Sequence, residues 1–248
     1  KTVWSKRKMT VWYDIVEPHP DIKEGNFDES IFAAKLGDVK NNRAPVEYND
    51  PQIFFKKTFM TEGITDLISR VSDKLKNGKG PSVVEIKTPF GGGKTHALIA
   101  IYHFLKNGKT ITDYLPKNIQ LINAGISVVV GTDLNPAEGN IRDSLNIKTI
   151  WGEIAYQLGG KEGYNLFKKN DNDRIAPGKE KLLEFLKNKQ PCVLLFDEVL
   201  EYITKARGVK YNETNLGSQT FAFFQELSET ISSLTNSMLI VTLPSSHL

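Results

Sequence analysis

The stretch "SVVEIKTPFGGGKTHALIAIYHFLKNG", residues 82–108, places three consecutive glycines between an apolar run and a helical pattern. The run "SVVEI" (82–86) is short and β-branched, which predicts a buried strand. The segment "THALIAIYHFLKNG" (95–108) predicts a helix that ends at its Asn-Gly pair. The glycines therefore lie at a strand-to-helix turn.

This turn matches the end of a phosphate-binding loop, although it lacks the first glycine of the pattern G-x-x-x-x-G-K-[ST]. The opening position is Thr88, and we expect Thr88 and Pro89 to make the bend where the strand leaves the sheet. Glycines let the backbone N–H groups converge on phosphate oxygens, and the positive end of the following helix faces the anion. The predicted nucleotide-binding residues are Thr88, Pro89, Phe90, Gly91, Gly92, Gly93, Lys94, Thr95 and His96.

Lys94 and Thr95 have predicted roles in this loop. The Lys94 ammonium is expected to reach the β and γ phosphates, and the Thr95 hydroxyl to bind Mg²⁺. The alternative is a glycine-rich turn followed by a chance Lys-Thr pair. The strand before the loop, the helix after it and an acidic strand end downstream favour the phosphate loop, so the predicted cofactors are ATP and Mg²⁺.

The segment "PCVLLFDE" (191–198) predicts an apolar strand that ends in two acids, Asp197 and Glu198. Ligands of open α/β sheets bind at the carboxyl ends of the strands. We expect Asp197 to hold Mg²⁺ through water and Glu198 to activate the water that attacks the γ phosphate. The alternative for Glu198 is a solvated acid at the start of a helix. An acid pair favours hydrolysis over phosphate transfer to a small molecule, which needs no water-activating glutamate.

Further strands and helices alternate along the chain. Each strand is apolar on both faces, which predicts a parallel sheet covered by helices on both sides. The predicted fold class is therefore α/β, a three-layer P-loop NTPase of AAA+ or RecA-like type. Residues 1–60 are predicted to be an irregular extension that wraps the core, and residues 61–248 to be the ATPase core. The other predicted strands are 126–132 and 237–246, and the other predicted helices are 26–39, 61–77, 148–159, 178–188 and 220–234.

Composition excludes several classes of protein. The 248 residues carry a net charge of +3, which is too weak by itself to indicate nucleic-acid binding. The single cysteine, Cys192, rules out an intrachain disulfide, and its apolar strand predicts inert core. The four histidines show no metal-ligand spacing with Cys192 or with one another. No apolar run has the length of a membrane span and no signal peptide is visible, so we expect a cytoplasmic protein without a membrane partner.

Two basic stretches allow a binding interpretation. "WSKRKMTVWY" (4–13) mixes basic and aromatic residues, as single-strand nucleic-acid sites do. A pair of strands with a charged turn is the simpler explanation. Lys205, Arg207 and Lys210 follow the acid pair in a predicted loop, and a solvated loop is favoured over an interface.

Three segments carry a family resemblance: "IVEPHPDIKEGNFDESIFAAKLGDV" (15–39), "VEYNDPQIFFKKTFMTEG" (46–63) and "TPFGGGKTHALIA" (88–100). In this order they resemble the opening of a prokaryotic group of large predicted ATPases, unknown-function family 499. The resemblance covers nearly the whole chain, and its loop also begins with Thr-Pro-Phe. It implies an AAA+-type ATPase of the kind encoded in phage-defence loci, and no known substrate. We expect ATP hydrolysis to drive a conformational change in a DNA or protein partner, and we count an oligomer among the expected partners.

The resemblance also implies a longer protein, so we expect this chain to be an amino-terminal part. An AAA+ core has five parallel strands and a helical lid, whereas four strands are predicted here. The chain alone is therefore expected to bind ATP weakly and to hydrolyse it barely. The alternatives are a RecA-type DNA helicase or translocase and a nucleotide-gated scaffold with negligible turnover.

Two other strand ends are candidates for the same site. In AAA+ ATPases, a polar residue at the end of the strand after the acid pair contacts the γ phosphate or its water. Thr242 in "LIVTLPSS" is the first candidate for this catalytic role and Ser245 the second, whereas a threonine that merely leaves a strand is the alternative. Thr132 and Asp133 end "VVVGTD" (128–133). A plain turn at the strand end is the favoured interpretation, and a contact of these residues with Glu198 or with the attacking water is the alternative.

Overall fold

A computed structural model of the chain describes residues 17, 23, 25, 34–88, 93–211 and 213–244. The chain divides into two units, residues 1–33 and 34–248. Within the described part of the first unit, the Lys23 ammonium forms an ion pair of 2.9 Å with Glu17. All elements below belong to the second unit.

Helices and strands alternate along the second unit. The helices are α1 (Leu36–Lys40), α2 (Val46–Asn49), α3 (Pro51–Lys57), α4 (Glu62–Asn77), α5 (Lys94–Asn107), α6 (Ile150–Asn172), α7 (Lys179–Lys187), α8 (Val199–Ala206) and α9 (Leu216–Ser233). The strands are β1 (Val83–Thr88), β2 (Gly125–Val130), β3 (Asn140–Arg142), β4 (Leu145–Ile147), β5 (Cys192–Asp197), β6 (Lys210–Tyr211), β7 (Thr214–Asn215) and β8 (Ser237–Pro244).

Four of the strands form the central sheet in the order β1-β8-β5-β2. All three pairings are parallel, so all four carboxyl ends lie at one edge. The two pairs β3–β4 and β6–β7 are short antiparallel ladders outside this sheet. The central sheet confirms the predicted parallel α/β architecture.

Helices cover both faces of the sheet because alternate residues of each strand enter different apolar clusters. In β5, Leu194 and Phe196 pack with α6, α7, α8 and α9. Val193 and Leu195 pack on the opposite side with α1, α3, α4 and α5. All six residues of β5 are buried, which explains why this strand is a continuous apolar run rather than an alternating one.

Helix α4 begins and ends where its sequence signals lie. The Thr61 hydroxyl accepts a hydrogen bond from the N–H of Ile64, and Gly78 closes the helix in the left-handed conformation at φ 69°. Helix α6 extends well past the predicted end at residue 159, to Asn172, across a non-helical Gly160. The predicted loop with Lys205, Arg207 and Lys210 is wrong at two of these positions. Lys205 lies in helix α8, since "VLEYITKA" buries one apolar face, and Lys210 lies in strand β6.

The helix predicted over 26–39 falls mainly outside the described residues, and its described end overlaps α1. Leu36 of α1 and both phenylalanines of α3, Phe54 and Phe55, are buried in the cluster around α5. None of the helices in the described part of the chain is long and apolar enough to cross a membrane.

Candidate functional site

The carboxyl edge of the sheet brings together the strand ends that carry polar residues. Thr88 at the end of β1 pairs in register with Pro244 of β8, and Val130 at the end of β2 pairs with Asp197 of β5. Ligands of parallel sheets bind at this edge. The strand order places β8, which carries Thr242, between β1 and β5.

Lys94 opens helix α5 directly above the end of β1. Gly93 precedes it as the N-terminal cap of the helix and has a φ of +74°, a conformation that favours glycine. The half-buried Lys94 ammonium donates to the carbonyl oxygen of Thr88 over 2.9 Å and lies 3.4 Å from the Thr88 hydroxyl. The positive charge is therefore held at the base of the turn. The predicted loop residues Pro89, Phe90, Gly91 and Gly92 lie outside the described residues.

The Asp197 carboxylate is buried at the end of β5 and accepts hydrogen bonds from two hydroxyl groups. Thr95 of α5 donates to Oδ2 over 2.8 Å, and Thr242 of β8 donates to Oδ1 over 2.5 Å. Hydrogen bonds to an ionised group are short and strong, and they compensate part of the cost of burying the charge. Three separate elements thus converge on one carboxylate.

Glu198 lies at the same edge, exposed to solvent, in the left-handed conformation at φ 51°. Its Oε2 accepts a hydrogen bond of 2.8 Å from the Thr132 hydroxyl, and its N–H lies 3.4 Å from the Thr242 hydroxyl oxygen. The end of β2 comes close here because residue 131 is glycine. A Cβ at Gly131 would lie only 2.1 Å from the Glu198 carbonyl oxygen.

Glu198 is also the N-cap residue of α8, which is the position that the helix-start alternative describes, but its side chain makes no capping bond there. Instead, its carboxylate is bonded across to Thr132. The plain-turn interpretation favoured for Thr132 therefore misses this contact. The Gly-Thr-Asp sequence at a strand end was the available signal.

Asp133 faces a different direction from Thr132. Its Oδ2 lies 1.9 Å from where a Cβ of Gly37 would be, so the carboxylate packs against helix α1. Burial, and then the nearby Asp38 carboxylate, raise the pKa of Asp133 above its usual value.

His96 lies in the first turn of α5 but is held from the side. Its Nε2 is 2.9 Å from the Thr58 hydroxyl, and its ring centroid is 4.6 Å from that of Phe54. Burial lowers the pKa of His96 below 6.5, which favours the neutral ring. Sequence analysis missed Thr58, because nothing local links residue 58 to the glycine turn.

Cys192 is buried in the core as a free thiol, as its apolar strand predicted. Ser245 lies outside the described residues. Within the described ranges, no three histidine, cysteine, aspartate or glutamate side chains cluster as a metal centre.

The fold and this edge define an α/β protein with a hydroxyl- and carboxylate-lined strand-end site. The family model described as DUF499 N-terminal domain matches residues 8–247, so the chain belongs to this family. No curated protein and no solved structure matches the chain. The predicted resemblance to unknown-function family 499 is confirmed.

Proposed function

We propose that this chain is the nucleotide-binding core of an AAA+-type P-loop ATPase, which binds ATP with Mg²⁺ and hydrolyses it. One contact carries the proposal: the 2.8 Å hydrogen bond from the Thr95 hydroxyl to Asp197, residues 102 positions apart. Sequence patterns assign both groups independently to the same cation. A chance glycine turn and an unrelated acidic strand end would share this edge of the sheet, but nothing would require the direct hydrogen bond between them.

The residues at this contact fit Mg²⁺. Magnesium prefers oxygen ligands and is usually held by one or two carboxylates together with substrate phosphates and water. The Asp197 carboxylate and the hydroxyls of Thr95 and Thr242 offer such oxygen ligands, and each hydroxyl is within hydrogen-bond distance of the carboxylate. Bound there, the cation would neutralise phosphate charge.

Lys94 and the start of α5 would bind the phosphates. The Lys94 ammonium lies at the base of the turn, and the N-terminal N–H groups of α5 point out of the helix beside it. Their combined positive charge favours a polyphosphate over a neutral ligand. The glycines that precede Lys94 permit close approach of the backbone to that ligand.

Glu198 would act as the base that accepts a proton from the attacking water. An exposed carboxylate at the strand edge is accessible to water, whereas the buried Asp197 already accepts two hydroxyl donors. Thr242 touches both acids: its hydroxyl donates to Asp197 and lies 3.4 Å from the Glu198 N–H. This position supports a role for Thr242 between the phosphate and the water.

ATP titration and turnover by the full-length protein, with and without DNA, test the proposal. We expect binding that requires Lys94 and hydrolysis that requires Glu198. The phage-defence setting comes from the family resemblance, whereas the DNA or protein partner is part of this proposal. Turnover stimulated by DNA alone would favour the helicase or translocase, and tight ATP binding without turnover would favour the scaffold. If the folded protein does not bind ATP, the AAA+-type ATPase, the helicase or translocase and the nucleotide-gated scaffold are all excluded.

A further inference from the structure

A polar cavity of about 410 Å³ lies beside strand β2, apart from the strand-end site. Its walls come from α1, β2, β3 and α6, and it does not include Lys94, Thr95, Asp197 or Glu198. The charged side chains that line it are Lys40, Arg43, Asp133, Arg142 and Glu153. Small-molecule sites commonly have volumes of roughly 300–1,000 Å³, so its size suits a metabolite.

Glu153 is the buried centre of this cavity, with 2% of its surface exposed. Its Oε1 accepts hydrogen bonds from Arg142 Nε over 3.2 Å and from Gln157 Nε2 over 2.7 Å. The Lys40 ammonium lies 3.7 Å from the same oxygen. The other oxygen, Oε2, is buried and has no hydrogen-bond partner among the described residues. Buried carboxylate oxygens are normally satisfied, so Oε2 calls for a donor from outside the chain.

The cations that line the cavity require an anion, in addition to the donor that Glu153 Oε2 requires. Burial lowers the pKa of Lys40 to about 8, which marks an ammonium that is incompletely compensated by Glu153. Arg142 lies on the same carboxylate, and Arg43 at the wall pairs with Asp38 over 3.2 Å. Burial, and then the nearby Asp38 carboxylate, raise the pKa of Asp133, the other acid of the lining. The donors of a guanidinium group match the geometry of phosphate oxygens.

We propose that this cavity binds a small hydroxylated phosphate of the sugar-phosphate class. A hydroxyl of the ligand donates to Glu153 Oε2, and its phosphate lies against Lys40, Arg43 and Arg142. The predominantly polar lining favours a polyol over a flat base. This inference is independent of the proposed ATPase function.

The test uses full-length protein with Lys94→Ala, so that the glycine turn cannot supply phosphate binding. Ribose 5-phosphate, inorganic phosphate and ribose are titrated separately by calorimetry. We expect ribose 5-phosphate to bind at least about 10-fold more tightly than either fragment, because only it meets both requirements. Glu153→Gln turns the free acceptor into a donor and should weaken ribose 5-phosphate about 10-fold or more. Glu162→Gln, at an exposed position of the same helix, is the matched control and should change nothing.

A labelling experiment covers the case in which Glu153→Gln fails to fold. With a lowered pKa, Lys40 should react readily with an acylating reagent, and saturating ribose 5-phosphate should protect it. The exposed Lys106 should react equally with and without ligand. The proposal would be overturned by equal affinities for inorganic phosphate and ribose 5-phosphate. It would also be overturned by a measurable heat of binding without protection of Lys40. If ribose 5-phosphate gives no heat of binding and does not protect Lys40 from acylation, the proposal is also overturned, and the cavity holds only water.

Discussion

The hydroxyl of Thr132 donates a 2.8 Å hydrogen bond to Oε2 of Glu198, although the two residues are 66 positions apart. The bond joins the end of β2 to the first residue after β5. A hydroxyl bonded to a carboxylate oxygen competes with water for that oxygen and holds the carboxylate in one orientation. Thr132 thus fixes the orientation of the proposed base.

Replacing Thr132 by valine should increase basal ATP hydrolysis by the full-length protein. Valine keeps the shape and removes the donor, so the Glu198 carboxylate is free to rotate towards the attacking water without first breaking this bond. The expected increase is about 10-fold, equivalent to roughly 1.4 kcal/mol, near the lower end for a hydrogen bond to a charged group. Thr132→Ser keeps the hydroxyl and should match wild type. A lower rate in Thr132→Val would show that the bond positions the base instead.

Glu198→Gln should leave ATP bound and reduce turnover by about 100-fold or more, the usual contribution of a general base. The amide preserves the shape of the side chain and loses its proton affinity. Binding is measured by titration and turnover by phosphate release. Glu201→Gln, an exposed glutamate in helix α8, is the control. Wild-type turnover in Glu198→Gln would remove Glu198 from the proposed mechanism.

Lys94→Ala should weaken ATP binding by about 100-fold, because a charge-assisted phosphate contact is worth roughly 2–3 kcal/mol. The fold should persist, since the side chain is half-buried and lies outside both apolar clusters. Lys106→Ala changes the last turn of the same helix and should bind ATP normally. If folded Lys94→Ala retains full affinity, the glycine turn is not a phosphate loop.

Thr242→Val should lower the free energy of unfolding by about 1–3 kcal/mol, because it leaves a buried carboxylate oxygen without its donor. Urea unfolding measures the change. In an Asp197→Leu background the acceptor is gone, so the same substitution should cost clearly less. An equal cost in both backgrounds would mean that Thr242 acts through packing alone.

Acidification below pH 6.5 should destabilise the protein through its buried histidines. Burial lowers the pKa of His103 from 6.5, although the Tyr48 carbonyl, 2.7 Å from its Nε2, opposes the shift. Below pH 6.5 the unfolded chain binds protons that the folded chain refuses, so stability present at neutral pH is lost as the pH falls. His103→Gln should reduce the slope of unfolding free energy against pH by up to about 1.4 kcal/mol per pH unit. An unchanged slope would exclude His103 as a source.

The local elements were largely predictable because their signals lie within a few residues. Thr61 and Gly78 mark the ends of α4, and the apolar run before Asp197 marks β5. Helix α8 was missed because an acid pair and two basic residues obscure its short apolar face. The long extension of α6 beyond Gly160 was also missed, since a glycine there normally indicates a helix end.

By itself, the sequence determined the fold class and the functional groups that are present: a parallel α/β sheet, a glycine turn with Lys94, and two acids at a strand end. Only the tertiary structure decided which of these groups meet. The contacts of Asp197 with Thr95 and Thr242 span 102 and 45 positions, and both depend on the strand order β1-β8-β5-β2. Periodicity encodes which face of an element is buried, whereas strand order results from packing long crossover connections over both faces of the sheet. The Glu153 cavity was also decided only by the tertiary structure, because its walls come from four elements that no local pattern connects.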